Sequence, residues 1–132
     1  MARQMNDFTI FLVDDDKAVL QGLSRLLQAA GYRTKSFSSA KTFLHEHDAS
    51  ISGCVLLDLT MPDINGLSVQ DALVHQGINR PIIFLTAMEG ISESEQQAMK
   101  AGATDFLTKP IKKSELLRAI NSAEARDRTN RR

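Results

Sequence analysis

Residues 51–57 read Ile-Ser-Gly-Cys-Val-Leu-Leu and run directly into Asp58. The stretch is almost wholly apolar and shows no alternation of polar and apolar positions, which is the pattern of a central strand covered on both faces. Strands of that kind belong to parallel sheets flanked by helices. Moving outward, three more short apolar runs end on functional groups. Residues 8–13 end on Asp14, Asp15 and Asp16, residues 81–85 on Thr86, and residues 106–108 on Lys109. In an open parallel sheet the carboxyl ends of the strands lie along one edge, so these groups are expected to converge in one crevice.

Between the runs the spacing changes to that of helices. Val19, Leu20, Leu23, Leu26, Leu27 and Ala30 recur every three or four residues and Gly31 follows as a stop, which predicts an amphipathic helix. Residues 32–37 read as a second strand and 39–46 as a short helix. A dense cluster of turn formers, Pro62, Asp63, Asn65 and Gly66, predicts a loop over the site. Further helices are expected at 67–76, closed by Gly77, and from Ser92, paired with Glu95 as a capping box, to Ala101. A short strand at 105–108 and a last helix carrying Leu116, Leu117, Ile120 and Ala123 complete five strands and five helices. This alternation predicts an α/β fold with a parallel sheet.

A chain of 132 residues with 42% apolar residues is the size of one domain. Residues 1–125 are read as that domain and 126–132 as a basic tail or truncated linker, with four arginines against one aspartate. Sixteen basic and sixteen acidic side chains cancel, which removes the electrostatic argument for general nucleic-acid or membrane binding. No segment has the length of a signal peptide core or a membrane span, so a cytoplasmic protein is expected. The one cysteine, Cys54, lies inside an apolar run and reads as core packing. His45 and His47 fall on different faces of a helix and His75 is isolated, which argues against a histidine metal site.

The chemistry follows from the residue types at the strand ends. A carboxylate such as Asp58 is a nucleophile toward phosphorus, but its charge repels an anionic phosphoryl group. Magnesium held by carboxylates relieves that repulsion, and Asp14 and Asp15 are suited to hold it. Asp16, nearest the following helix, reads more readily as its cap than as a ligand. Lys109 supplies a mobile positive charge and Thr86 a hydroxyl donor, which together would close an anion site.

Four segments together resemble the receiver domain of two-component response regulators over nearly the full length of the chain. They are Phe11-Leu12-Val13-Asp14-Asp15-Asp16, residues 55–66 beginning Val55-Leu56-Leu57-Asp58, Ile83-Phe84-Leu85-Thr86-Ala87, and residues 101–110 ending Phe106-Leu107-Thr108-Lys109-Pro110. The resemblance implies a flavodoxin-like (βα)5 three-layer sandwich with strand order 2-1-3-4-5. It implies that Asp58 accepts a phosphoryl group from a sensor histidine kinase or phosphotransfer protein. Magnesium would be held by Asp14, Asp15, Asp58 and the backbone carbonyl of Thr60, with Lys109 and Thr86 on the phosphoryl oxygens. Thr86 and Phe106 would form the switch, Phe106 having plain core packing as its alternative. Thr60 and Met88 would set the phosphate lifetime, Met88 by shielding the phosphoaspartate from water. The family further implies pairing of two copies on phosphorylation, and no direct nucleic-acid binding without an output domain.

The sequence departs from the family where Lys112 and Lys113 stand in place of an acidic or hydroxyl cap for the last helix. Three rival readings are weighed. An aspartyl-phosphate phosphatase would carry a second acid where Thr60 stands, and a flavin or nucleotide module would have a phosphate loop where three aspartates follow the first strand. A degenerate receiver that works by binding alone sits poorly with the intact acids, Thr86 and Lys109.

Overall fold

A computed structural model of the protein describes residues 8–46, 51–58, 66–77, 80–86, 105–108 and 110–130. Five parallel strands form one sheet in the order β2-β1-β3-β4-β5. They are β1 (Thr9–Val13), β2 (Arg33–Phe37), β3 (Gly53–Asp58), β4 (Ile82–Thr86) and β5 (Asp105–Thr108). Four helices lie among the described residues: α1 (Lys17–Ala29), α2 (Ala40–Glu46), α3 (Gly66–His75) and α4 (Lys113–Asn130). The expected helix at 92–101 and most of the expected loop at 61–66 lie outside the described residues. The fold class and strand order are those the sequence implies.

β1 and β3 are buried at every position, as a strand covered on both faces must be. Successive side chains point to opposite faces of the sheet, and two cores result. Ile10, Leu12, Cys54, Leu56, Ile83 and Leu85 pack toward α1 and α4 with Leu20, Leu27, Leu116 and Ile120. Phe11, Val13, Val55, Leu57, Ile82 and Phe84 pack toward α2 and α3 with Phe43, Val69 and Leu73. β2 is an edge strand, and its pattern of exposed Arg33, Lys35 and Ser36 suits a solvated edge that does not template association.

The helix ends follow local chemistry. Ser39 starts α2 by accepting from the Thr42 N–H at 3.0 Å through its hydroxyl. Gly31 and Gly77 take positive φ of 94° and 74° after α1 and α3, the conformation in which glycine ends a helix without strain. α4 begins at Lys113, one residue after Lys112, whose carbonyl accepts from the Leu116 N–H at 3.0 Å.

α4 runs on through Asn130, so the helix continues into the stretch read as a basic tail or truncated linker. The reason is a change in what is buried. Beyond Ala123 the inward positions are Glu124 and Asp127, 6% and 2% exposed, whose charge hides the continuing helical period.

At Gly53 the neighbouring strand leaves no room for a side chain. A Cβ there would lie 2.1 Å from the Thr9 carbonyl oxygen and 2.9 Å from an edge carbon of Phe11. Gly53→Ala is therefore expected to destabilise the fold by about 1–3 kcal/mol, the usual cost of forcing a methyl into a packed interior. Urea unfolding monitored by circular dichroism measures it.

Candidate functional site

β1 and β3 are neighbours in register, with Val13 opposite Leu57, so the residues that follow each emerge side by side at the carboxyl edge. Asp14 is the first residue after β1 and its N–H donates to the Phe37 carbonyl at 3.1 Å. Asp58 is the last residue of β3 and lies opposite Leu85. Both are 2% exposed, while Asp15 is exposed. One carboxylate oxygen from each of Asp14, Asp15 and Asp58 lies within 4.8 Å of the other two. The sequence expectation that these acids converge is met by this geometry.

Each acid at the end of β1 has a distinct job. Asp14 Oδ1 accepts from the Asp16 N–H at 3.0 Å, which fixes the direction of its carboxylate. Asp16 Oδ1 accepts from the N–H groups of Ala18 at 3.0 Å and Val19 at 3.3 Å, so Asp16 is the N-cap of α1. Asp15 is left between them facing solvent. The positive end of the α1 dipole lies beside the cluster and favours negative charge there.

Three carboxylates gathered in one crevice repel one another, and a bound cation is the standard relief. The donor set is hard oxygen only, which suits magnesium or calcium rather than a thiolate- or imidazole-seeking metal. Two of these carboxylates are buried and one is exposed, so the cluster is open to solvent on one side.

The remaining predicted residues distribute as follows. Thr86 ends β4 and pairs in register with Thr108 of β5. Phe106 is half-buried, and its ring centroid lies 5.4 Å from that of Phe84, with 33° between the planes. Thr60, Met88 and Lys109, and with them the expected carbonyl ligand, lifetime positions and ammonium, lie outside the described residues.

Sequence reasoning missed a second polar group of residues, at the opposite edge of the sheet. Arg80 is 7% exposed, donates from Nη2 to the Ile51 carbonyl at 2.6 Å, and places its guanidinium carbon 4.4 Å from the Phe11 ring centroid. Ser52 Oγ donates to Asp127 Oδ2 at 2.5 Å. Burial pushes the Cys54 thiol far above its ordinary pKa, and the charges of Asp127 and Glu124 add to the shift while Arg80 opposes it. Full burial and a raised pKa agree with the reading of Cys54 as core packing. The only sequence signal for this group was the spacing of Glu124 and Asp127 behind Ile120 and Ala123.

Comparison with known proteins agrees with the geometry. A family model described as the response regulator receiver domain matches residues 10–121. The response regulator protein TmoT of Ectopseudomonas mendocina is 45% identical over 123 residues, which cover 92% of this chain and 56% of TmoT. The chain thus spans little more than half the length of that relative. Among solved structures, the response regulator StyR superposes with a TM-score of 0.85 at 39% identity, covering 93% of this chain and 62% of that one. FixJ-N superposes with a TM-score of 0.81 at 35% identity, covering 92% of this chain and 96% of that one. Among the described residues, no helix is long and apolar enough to cross a membrane.

Proposed function

This chain belongs to the response regulator receiver domain family of two-component systems, and we propose that it is a magnesium-dependent phosphoacceptor whose acceptor is Asp58. The observation that carries the reading is the convergence of Asp14, Asp15 and Asp58 at the carboxyl ends of two adjacent strands. The donor is a sensor histidine kinase or a phosphotransfer protein in the cytoplasm, and the chain acts as a signalling acceptor rather than a turnover enzyme.

The chemistry is one substitution at phosphorus. An Asp58 carboxylate oxygen forms the new O–P bond while the donor's P–N bond breaks, and the imidazole leaves with that electron pair. Burial fixes Asp58 as the last residue of a rigid strand, which limits its freedom before attack. Asp14 and Asp15 would hold magnesium with Asp58, and the resemblance to the family adds the backbone carbonyl of Thr60 as a further ligand. When bound, the ion neutralises the charge that would otherwise keep nucleophile and phosphoryl group apart. Thr86 donates its hydroxyl, and Lys109 its ammonium, to phosphoryl oxygens. Met88 and Thr60 govern access of water to the product.

Phe106 is the switch aromatic of this reading. Its ring is half-buried on Phe84 beside the Thr86–Thr108 pair, so a shift of Thr86 toward the phosphoryl group would change the room available to it. The surface around β5 and α4 is then the face that meets an output partner or a second copy. A chain of zero formal charge gives no support to direct nucleic-acid binding by these residues.

Incubation with acetyl phosphate and magnesium, followed by intact-mass spectrometry, tests the reading. A gain of one phosphoryl group that requires magnesium is expected. No gain, with magnesium shown to bind, would turn the reading toward a receiver that works by binding alone. Magnesium should also raise Tm in calorimetry, by an amount corresponding to about 1–3 kcal/mol at concentrations well above Kd. Asp14→Asn should lose most of that rise.

A further inference from the structure

We infer that Asp16 is a positioning residue for the cation site: without touching the ion, its side chain holds the turn from which Asp14 and Asp15 reach it. This role presupposes the magnesium site of the proposed function and adds a residue outside its ligand set. The turn is short and tied down at both ends. At one end the Asp14 N–H donates to the Phe37 carbonyl at 3.1 Å, which anchors the chain to β2 as it leaves β1. At the other, Asp16 Oδ1 accepts from the N–H groups of Ala18 at 3.0 Å and Val19 at 3.3 Å, which fastens the extended Asp16 backbone, φ −91° and ψ 108°, to the first turn of α1. α1 is itself held in the core by Leu20 and Leu27, so the cap ties the turn to a fixed body. The Asp16 N–H in turn donates to Asp14 Oδ1 at 3.0 Å, so the capping residue also meets the buried ligand directly.

Asp15 depends on this clamp most. It is exposed, and among the described residues it has no hydrogen-bond or ion-pair partner. Yet one of its carboxylate oxygens lies within 4.8 Å of an oxygen of Asp14 and of Asp58. Like charges at that spacing push the exposed member outward, and a turn held at both ends resists the push. Loss of the cap opens other conformations to residues 14–16. The apparent affinity for the ion then falls in proportion to the share of molecules that keep the ligands assembled. A cap that served α1 alone would change stability and leave affinity where it was.

Magnesium binding to the whole chain is measured by isothermal titration calorimetry, well below Tm, for the unchanged protein and for Asp16→Asn, Asp16→Ser and Asp16→Ala. All three variants lose the same negative charge, but asparagine and serine keep an oxygen that caps a helix and alanine does not. Asp16→Asn and Asp16→Ser should bind magnesium alike, within about twofold of each other. Asp16→Ala should bind about fivefold more weakly than either, a factor of the size that loss of one cap commonly produces. Leu26→Ala is the control: it lies about 15 Å further along α1 and packs on the core, so it lowers stability without reaching the turn. Its Kd should match that of the unchanged protein. Two results overturn the inference: equal affinities in the three Asp16 variants, which would leave only the charge of Asp16 to matter, or Leu26→Ala weakening magnesium as much as Asp16→Ala, which would make affinity follow stability. Absence of magnesium binding in the unchanged protein would sink the proposed function as well, whereas either of the two results with that binding intact sinks this inference alone.

Discussion

Asp58→Asn is expected to abolish phosphoryl uptake from acetyl phosphate, by on the order of a thousandfold or more, because the amide oxygen is a far poorer nucleophile than the carboxylate it replaces. The substitution keeps shape and removes one of three crowded negative charges from a buried position, so the fold should persist. A melting curve taken beside the mass spectrum separates loss of chemistry from loss of structure. The comparison with Asp14→Asn gives the prediction its edge. Asp14 is held by the Asp16 N–H as a fixed acceptor and is assigned to the cation, not to phosphorus. Its loss should weaken the magnesium requirement's affinity and be partly recovered at higher magnesium, whereas no magnesium concentration should recover Asp58→Asn. An adduct of undiminished yield on Asp58→Asn would identify another acceptor and remove the central role from β3.

Much of this site was legible because strand ends are the one place where sequence position translates directly into spatial position. Once residues 51–57 read as a strand buried on both faces, Asp58 had to lie on the carboxyl edge, and the same step brought Asp14 and Asp15 beside it. The division of labour among Asp14, Asp15 and Asp16 was less accessible. Three consecutive acids look alike in sequence, and only the geometry of the turn makes Asp16 the cap and turns Asp14 inward. At the other edge the sequence was misleading for a physical reason. Glu124 and Asp127 occupy inward positions of α4, yet pattern reading equates inward with apolar, so the apolar period stops at Ala123 and nothing in it carries the helix on to Asn130. Arg80, next to Pro81, belongs to no periodic pattern at all. Its burial arises from a tertiary contact with Phe11 that no local spacing announces.

That contact makes Phe11 the residue whose truncation should cost the fold most. Phe11 is fully buried, with ring centroids 6.4 Å from Phe37 and 6.0 Å from Phe43, and the Arg80 guanidinium carbon 4.4 Å above its own. Phe11→Ala is expected to destabilise by about 3–5 kcal/mol, since it leaves a cavity its neighbours cannot fill and strips a buried cation of its aromatic partner. Set against a total of about 5–15 kcal/mol for a typical domain, this brings the protein to the margin. Urea unfolding should show a much lower midpoint with an unchanged slope; a lower slope would mean that β2 and α2 had already come loose in the native state. The double variant with Gly53→Ala sharpens the result. The Phe11 ring is only the second obstacle to a methyl at Gly53, 2.9 Å away, whereas the Thr9 carbonyl stands at 2.1 Å and is backbone. Truncating Phe11 removes only the second of these clashes, so it should relieve a minor part of the cost of Gly53→Ala and leave most of it in place. A large favourable coupling would show instead that the ring, rather than the neighbouring strand, is what demands glycine at the entry to β3.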